Sequence, residues 1–293
     1  MLAAMKHPPK ESWLERVPLV GGWLARKASG APVVGVLRFA GVIGQVGLAR
    51  RGMTLDDLAE SIERAFKLKK LAAVAISVNS PGGSPVQSGL IAGRVRALAE
   101  EHDLPVYAFC EDVAASGGYW LACAADHIYA DGASVVGSIG VVSAGFGFTD
   151  LIAKAGVERR VHTAGESKAM LDPFRPEDPK NIERLAAIQE DVHDQFKDWV
   201  RTRRGARLAA PEPTLFDGTI WTGRKAAELG LVDGIGDLRG VMREKFGEKV
   251  RLRPIKAPRN WLQKRIGVSR AGAVADDVLA AIEERLIWSR FGL

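Results

Sequence analysis

The chain has 293 residues, 47% of them hydrophobic and 26% charged, with 41 basic and 35 acidic side chains for a formal net charge of +6. Such a length can bury a sizeable core, as one large domain or one domain with extensions, and the composition is that of an ordinary globular protein without repeats or low-complexity tracts. The only cysteines, Cys110 and Cys123, lie in apolar runs, which excludes a disulfide framework and predicts buried free thiols.

Residues 1–30 carry Lys, Pro and Trp without sustained periodicity and read as an extension. The apolar stretch 17–24 within them falls short of the roughly 18 residues that a membrane span needs. No secretory hydrophobic region with a small-residue cleavage site follows it, so the reading predicts a chain kept in the cytoplasm. From Pro32 onward short apolar strands alternate with helices. A strand is predicted over 33–39 and a helix over 54–69, where Thr54 can cap the N-terminus and Leu55, Leu58, Ile62 and Phe66 repeat at helical spacing. The near-continuous apolar run 72–78 predicts a buried parallel strand, ended by the turn Asn79-Ser80-Pro81-Gly82-Gly83.

A helix over 86–101, a strand over 105–110, a turn at Ser116 and a helix to about residue 125 follow. Strands are predicted over 127–130 and 134–142, a long helix over 181–204 and a short one over 223–229. This alternation predicts an α/β fold with right-handed crossovers. Between Lys249 and Arg265 there are seven basic residues and no acidic one, with Trp261 and Leu262 among them. That stretch reads first as a solvated strand and loop, with an anionic lipid surface as the alternative; no nucleic-acid motif accompanies it. Residues 273–286 place Val274, Val278, Ala281, Ile282 and Leu286 on one face of an amphipathic helix.

Two segments carry candidate chemistry. Ser116 lies in Ala114-Ala115-Ser116-Gly117-Gly118, where small residues and glycines would expose a nucleophile at a turn into a helix. Lys168, in Gly165-Glu166-Ser167-Lys168-Ala169, is a candidate base, since a serine hydroxyl needs a neighbouring proton acceptor. A lysine fills that role only with a neutral amine, which burial or a positive neighbour favours. The N–H groups of Gly117 and of Gly82 or Gly83 could form an oxyanion hole. The rival bases His102, His127, His162 and His193 sit in no nucleophile-elbow frame, and neither a His-Glu-x-x-His sequence nor a Cys/His cluster supports a metal. These residues point to a serine hydrolase with a Ser-Lys dyad, needing no cofactor.

The motifs, in their order along the chain, resemble those of the SppA/SohB-type signal peptide peptidases, serine proteases of the ClpP/crotonase fold. The resemblance is carried by Asn79 to Gly83, by Ala114 to Tyr119, by Gly137-Ser138-Ile139-Gly140, by Gly165 to Lys168 with Asp172-Pro173-Phe174, and by Trp221 to Ala226 with Gly230-Leu231-Val232-Asp233. It implies repeated ββα units over a peptidase domain at 31–240, with the N-terminal extension 1–30 before it and the basic segment and C-terminal helix, 241–293, after it. It also implies Ser116 as nucleophile, Lys168 as general base, Ser138 orienting the lysine, and Gly83 with Gly117 as the oxyanion hole.

The implied reaction is ATP-independent endopeptidase cleavage through an acyl-enzyme by a homo-oligomer, with spent signal peptides among the substrates. Many relatives carry an N-terminal membrane anchor; none is read in this sequence, and peripheral contact at the inner membrane face through the Trp13/Trp23 segment or the basic region is expected instead. Ser167 also stands where the family often has an aromatic residue. Two other readings use the same fold: a crotonase-like acyl-CoA hydratase or isomerase, and a non-catalytic membrane-associated scaffold.

Overall fold

The ten-residue run Leu71–Ser80 builds the middle of the molecule. As strand β4 it lies between β1 (Val33–Ala40) and β5 (Val106–Ala115), and six successive residues of it are buried, as a parallel strand covered on both faces requires. The computed structural model describes residues 30–46, 50–255, 285 and 288–292. The expected N-terminal extension with Trp13 and Trp23, all but Gly30, and the expected helix over 273–286, all but Arg285, lie outside the described residues. Contacts divide the chain into Met1–Ala31 and Pro32–Leu293, and the second unit holds the architecture below.

The main sheet has eight strands. β6 (His127–Ala130), β9 (Gly234–Ile235) and β10 (Arg251–Pro254) extend the parallel core to the order β10-β1-β4-β5-β6-β9. β7 (Val135–Gly137) joins the far end of β5 in parallel and pairs antiparallel with β8 (Ile220–Thr222). β2 (Gln45–Val46) and β3 (Arg50–Arg51) make a separate two-stranded ribbon. This is the expected α/β fold with its parallel sheet.

Helices α1 (Leu55–Phe66), α2 (Pro85–Glu101) and α3 (Gly117–Ala122) serve the larger core, which gathers Leu37, Ile62, Ile76, Val78, Ile91, Val95 and Leu121. Thr54 caps α1 by accepting the Asp57 N–H at 3.3 Å, and Ser84 caps α2 by accepting that of Gln87 at 3.3 Å. A second core of Val34, Ala73, Ala75, Tyr107 and Phe109 is closed by Val241 and Met242 of a later helix, Leu238–Phe246. Cys110 and Cys123 are free and buried, and burial pushes both thiols up to about 12.

Four boundaries differ from expectation by three residues or more, the first being the end of α1 at Phe66 rather than residue 69. β5 continues through Glu111 and Asp112, whose charges hide a strand from a hydrophobicity pattern. The strand expected over 134–142 stops at Gly137, because Gly137 (φ +112°) and Ser138 (φ +52°) turn the backbone out of the extended region. The helix after Ser116 ends at Ala122, earlier than residue 125.

Beyond β7 the chain leaves the body as an arm. It contains α4 (Thr149–Lys154), a 3₁₀ turn at Glu166–Ala169 and the first half of the 26-residue α5 (Pro179–Arg204). Its apolar side chains are largely uncovered: Val142 is 63% exposed, Phe146 75% and Leu151 61%. Within the arm, Phe148 lies 6.2 Å from Phe146 and 5.6 Å from Phe174, centroid to centroid, and Arg159 sits over the Phe174 ring.

The other end of α5 is locked down. Arg204, its side chain 1% exposed, donates through Nη1 and Nη2 to both oxygens of Asp233 at 2.8 and 3.0 Å, and through Nε and Nη2 to the Gly230 carbonyl. Asp233 also accepts the Ile128 N–H at 2.7 Å, so one carboxylate ties α5 to β6 and to the turn before β9. Burial alone would raise the Asp233 pKa, but the Arg204 guanidinium and the Ile128 amide hold it below the usual carboxylate range. No helix among the described residues is long and apolar enough to cross a membrane.

Candidate active site

β4 ends at Ser80 and β5 at Ala115, and the two glycine turns that follow them meet. Ser116 occupies the left-handed region at φ +53°, ψ −124°, with its N–H donating to the Gly137 carbonyl at 2.8 Å and its own carbonyl accepting the Trp120 N–H as α3 begins. A serine held there costs about 1–3 kcal/mol, a strain that the packing around it must offset. Its hydroxyl makes no capping bond to the helix it precedes.

Gly82 abuts this turn so closely that a Cβ on it would lie 2.8 Å from the Ser116 Cβ and 2.9 Å from the Gly117 nitrogen. Gly83 (φ +139°) is equally constrained, because a Cβ there would fall 2.1 Å from the Ile43 carbonyl. The segment at Ile43 pins the turn from outside: Ile43 N–H donates to Gly82 O at 2.8 Å, and Ser84 N–H donates to Ile43 O at 2.9 Å. The Gly83 N–H takes part in neither bond. Gly117 opens α3, where a first-turn amide has no helical carbonyl to reach.

Ser138 lies beside this cluster. The Gly137–Ser138 peptide accepts the Ser116 N–H on its carbonyl and donates its own N–H to Thr219 O at 2.8 Å, so one peptide group bridges the Ser116 turn to the segment before β8. His193, half-buried on α5, contacts the Ile139 carbonyl through Nε2 at 3.1 Å. Sequence reading left His193 without a role, because a side chain bonded to a remote main-chain carbonyl produces no motif. None of His102, His127, His162 and His193 hydrogen-bonds Ser116 among the described residues.

Lys168 is placed differently. It sits on the exposed 3₁₀ turn of the arm, and its amine has no hydrogen bond or ion pair among the described residues, to Ser116 and Ser138 or to any other group. The turn that carries it is nevertheless ordered by Asp172, whose carboxylate accepts from Arg159 Nε at 3.1 and 3.2 Å and from the Phe174 N–H at 3.1 Å. The Phe174 amide and Arg159 hold Asp172 below the usual carboxylate range. The structure thus gathers Ser116, Gly83, Gly117 and Ser138, and leaves Lys168 on a neighbouring exposed element of the single chain. Among the described residues no group of three His, Cys, Asp or Glu side chains could hold a metal ion.

Comparison with known proteins adds the family. The model of peptidase family S49 matches residues 99–250, which include Ser116, Ser138 and Lys168. A Synechocystis sp. (strain PCC 6803) protein whose name makes it a candidate protease is 34% identical over 233 residues, 77% of this chain and 82% of that one. The chloroplastic serine protease SPPA of Arabidopsis thaliana is 29% identical over 273 residues, 90% of this chain and 39% of that one. A Brucella abortus protein named Na(+)/H(+) antiporter NhaA is 49% identical over 270 residues, 88% of this chain. The chain spans 36% of that antiporter's length, so the likeness concerns only part of it. With more than half of its residues matched by the family model, the chain is a member of peptidase family S49.

Proposed function

We propose that this S49 peptidase cleaves peptides without ATP or a cofactor, through an acyl-enzyme on Ser116 with Lys168 as the base. The observation that carries the reading is the strained Ser116 turn set against Gly82 and Gly83. Attack by Ser116 Oγ on a peptide carbonyl places negative charge on its oxygen, and the Gly83 and Gly117 amides stabilise it, each such donor contributing about 3–4 kcal/mol. The proton leaves Oγ for the Lys168 amine, with Ser138 orienting that amine, and passes on to the departing amino group. Water then releases the acyl group by the same route. Short peptides, spent signal peptides included, are the substrate class.

Incubation with a peptidyl fluorophosphonate followed by intact-mass and peptide mapping tests this: one adduct on Ser116 is the expected result. An adduct elsewhere, or none on folded protein that hydrolyses peptides, rejects the nucleophile.

The arm gives the reading a second requirement. A base must be uncharged to accept a proton, and water around an exposed lysine favours its ammonium. A further copy of the chain seated on the arm would remove that water and cover Val142, Phe146 and Leu151 together. The active form is accordingly a homo-oligomer. Phe146→Asp combined with Leu151→Asp is expected to reduce the assembly to monomers by light scattering and to abolish turnover; fully active monomers would refute this.

A further inference from the structure

The pairing of β4 with β5 is interrupted just before the nucleophile. Val78 pairs with Cys110, but the next pair is Ser80 with Ala114, so β5 carries two more residues than β4 over this interval. Such a bulge bends its strand and disturbs the ladder, leaving backbone groups that need other partners. Side chains of β1 and β4 bond the bulged residues, and that of Asn79 reaches the backbone itself. Glu111 accepts from Arg38 Nη2 at 2.7 Å and from the Ser77 hydroxyl. Asn79 accepts the Val113 N–H on Oδ1 at 3.2 Å and donates from Nδ2 to Asp112 Oδ2 at 2.7 Å.

Asn79 is therefore the only β4 residue opposite the bulge, and its carboxamide stands in for the missing ladder bond. Three residues after Val113 comes Ser116, and three residues after Asn79 comes Gly82, which packs on Ser116. One side chain thus spans the bases of both turns.

We propose that Asn79 is a positioning residue for the reaction: its carboxamide holds the β5 bulge in the shape that aims Ser116 at the Gly82–Gly83 turn. The proposal rests on the reading of Ser116 as nucleophile. It accounts for an asparagine at the head of the turn, which needs an acceptor and a donor on one short planar group, a combination that neither aspartate nor leucine provides.

Three variants test it: Asn79→Leu, Asn79→Asp, and Asn79→Asp combined with Asp112→Asn. Leucine keeps the approximate shape and removes both bonds. Aspartate keeps the acceptor for Val113 but sets two carboxylates together. The combined variant reverses the donor and acceptor across the same contact. The kcat for peptide hydrolysis is expected to fall at least about tenfold with leucine, with KM nearly unchanged, and to recover to within about threefold of wild type in the combined variant. The single aspartate variant should fall between them.

Hydrogen exchange at the Val113 amide is read in parallel, and faster exchange is expected with leucine alone. A leucine variant with wild-type kcat, or a combined variant no better than the aspartate single, overturns the proposal. If leucine prevents folding, the aspartate and combined variants decide: equal kcat in both overturns it. Unchanged Val113 exchange also overturns it, whatever the identity of the nucleophile. Activity surviving in Ser116→Ala would instead reject the nucleophile and leave the exchange result to judge the bulge.

Discussion

Alanine at Ser116 is expected to abolish peptide hydrolysis, and alanine at Lys168 to do nearly the same, each lowering kcat by about 10⁴-fold or more. The two act as a unit, so the double variant should be no worse than the poorer single, where independent contributions would multiply. Neither change touches the core: Ser116 is half-buried with an unpaired hydroxyl, and Lys168 is exposed. Ser116→Ala should leave thermal stability close to wild type, since the strain at φ +53° comes from the main chain and remains in place. Progress curves over a wide enzyme range, with melting curves on the same samples, measure both. Substantial turnover in either variant would exclude the dyad.

The largest expected loss of stability lies at Arg204, at the C-terminal end of α5. Replacing Arg204 by methionine leaves Asp233 mostly buried with only the longer, half-exposed ion pair to Arg207 Nε at 3.5 Å, and opens the contact between α5 and the Gly230 turn. Removing one partner of a buried pair costs about 3–5 kcal/mol. A second change, Asp233→Asn, should restore part of that loss, because it removes a carboxylate left with Arg207 alone while retaining an acceptor for the Ile128 N–H.

The loss also depends on pH. Asp233 has a lowered pKa in the folded protein, so its contribution is present above the ordinary carboxylate value of about 3.9 and disappears as pH falls through the lowered one. Urea unfolding is expected to show the full difference between wild type and Arg204→Met at pH 7, shrinking below about pH 4. A difference that stays constant across that range would mean that packing, not the ion pair, carries the effect.

Much of the fold was legible in the chain. The apolar run ending at Val78 marked the central strand, Thr54 and the helical spacing after it marked α1, and the alternation of strands and helices marked the α/β class. Short elements escaped. β8 and β9 have three residues or fewer, too few to establish a period, and depend on the neighbours that supply their hydrogen bonds, whereas β10 lies in the stretch read as a solvated strand and loop. The end of β5 escaped because Glu111 and Asp112 look like loop residues, and Arg38, Ser77 and Asn79 satisfy them from remote strands.

What the sequence determined by itself was local chemistry: glycines where the backbone must come close, a serine between small residues, a lysine in a recognisable segment, and the order in which these occur. Such features show because each constrains its immediate neighbours. The meeting of the Gly82 and Ser116 turns, the peptide shared between Ser116 and Ser138, the carboxamide of Asn79 under the bulge and the lock of Arg204 on Asp233 were decided only in three dimensions. Each joins residues more than 20 positions apart, and a contact of that kind leaves no period or spacing in the chain. The exposure of Lys168 belongs with them: its segment was readable, whereas the water around it depends on what packs against the arm.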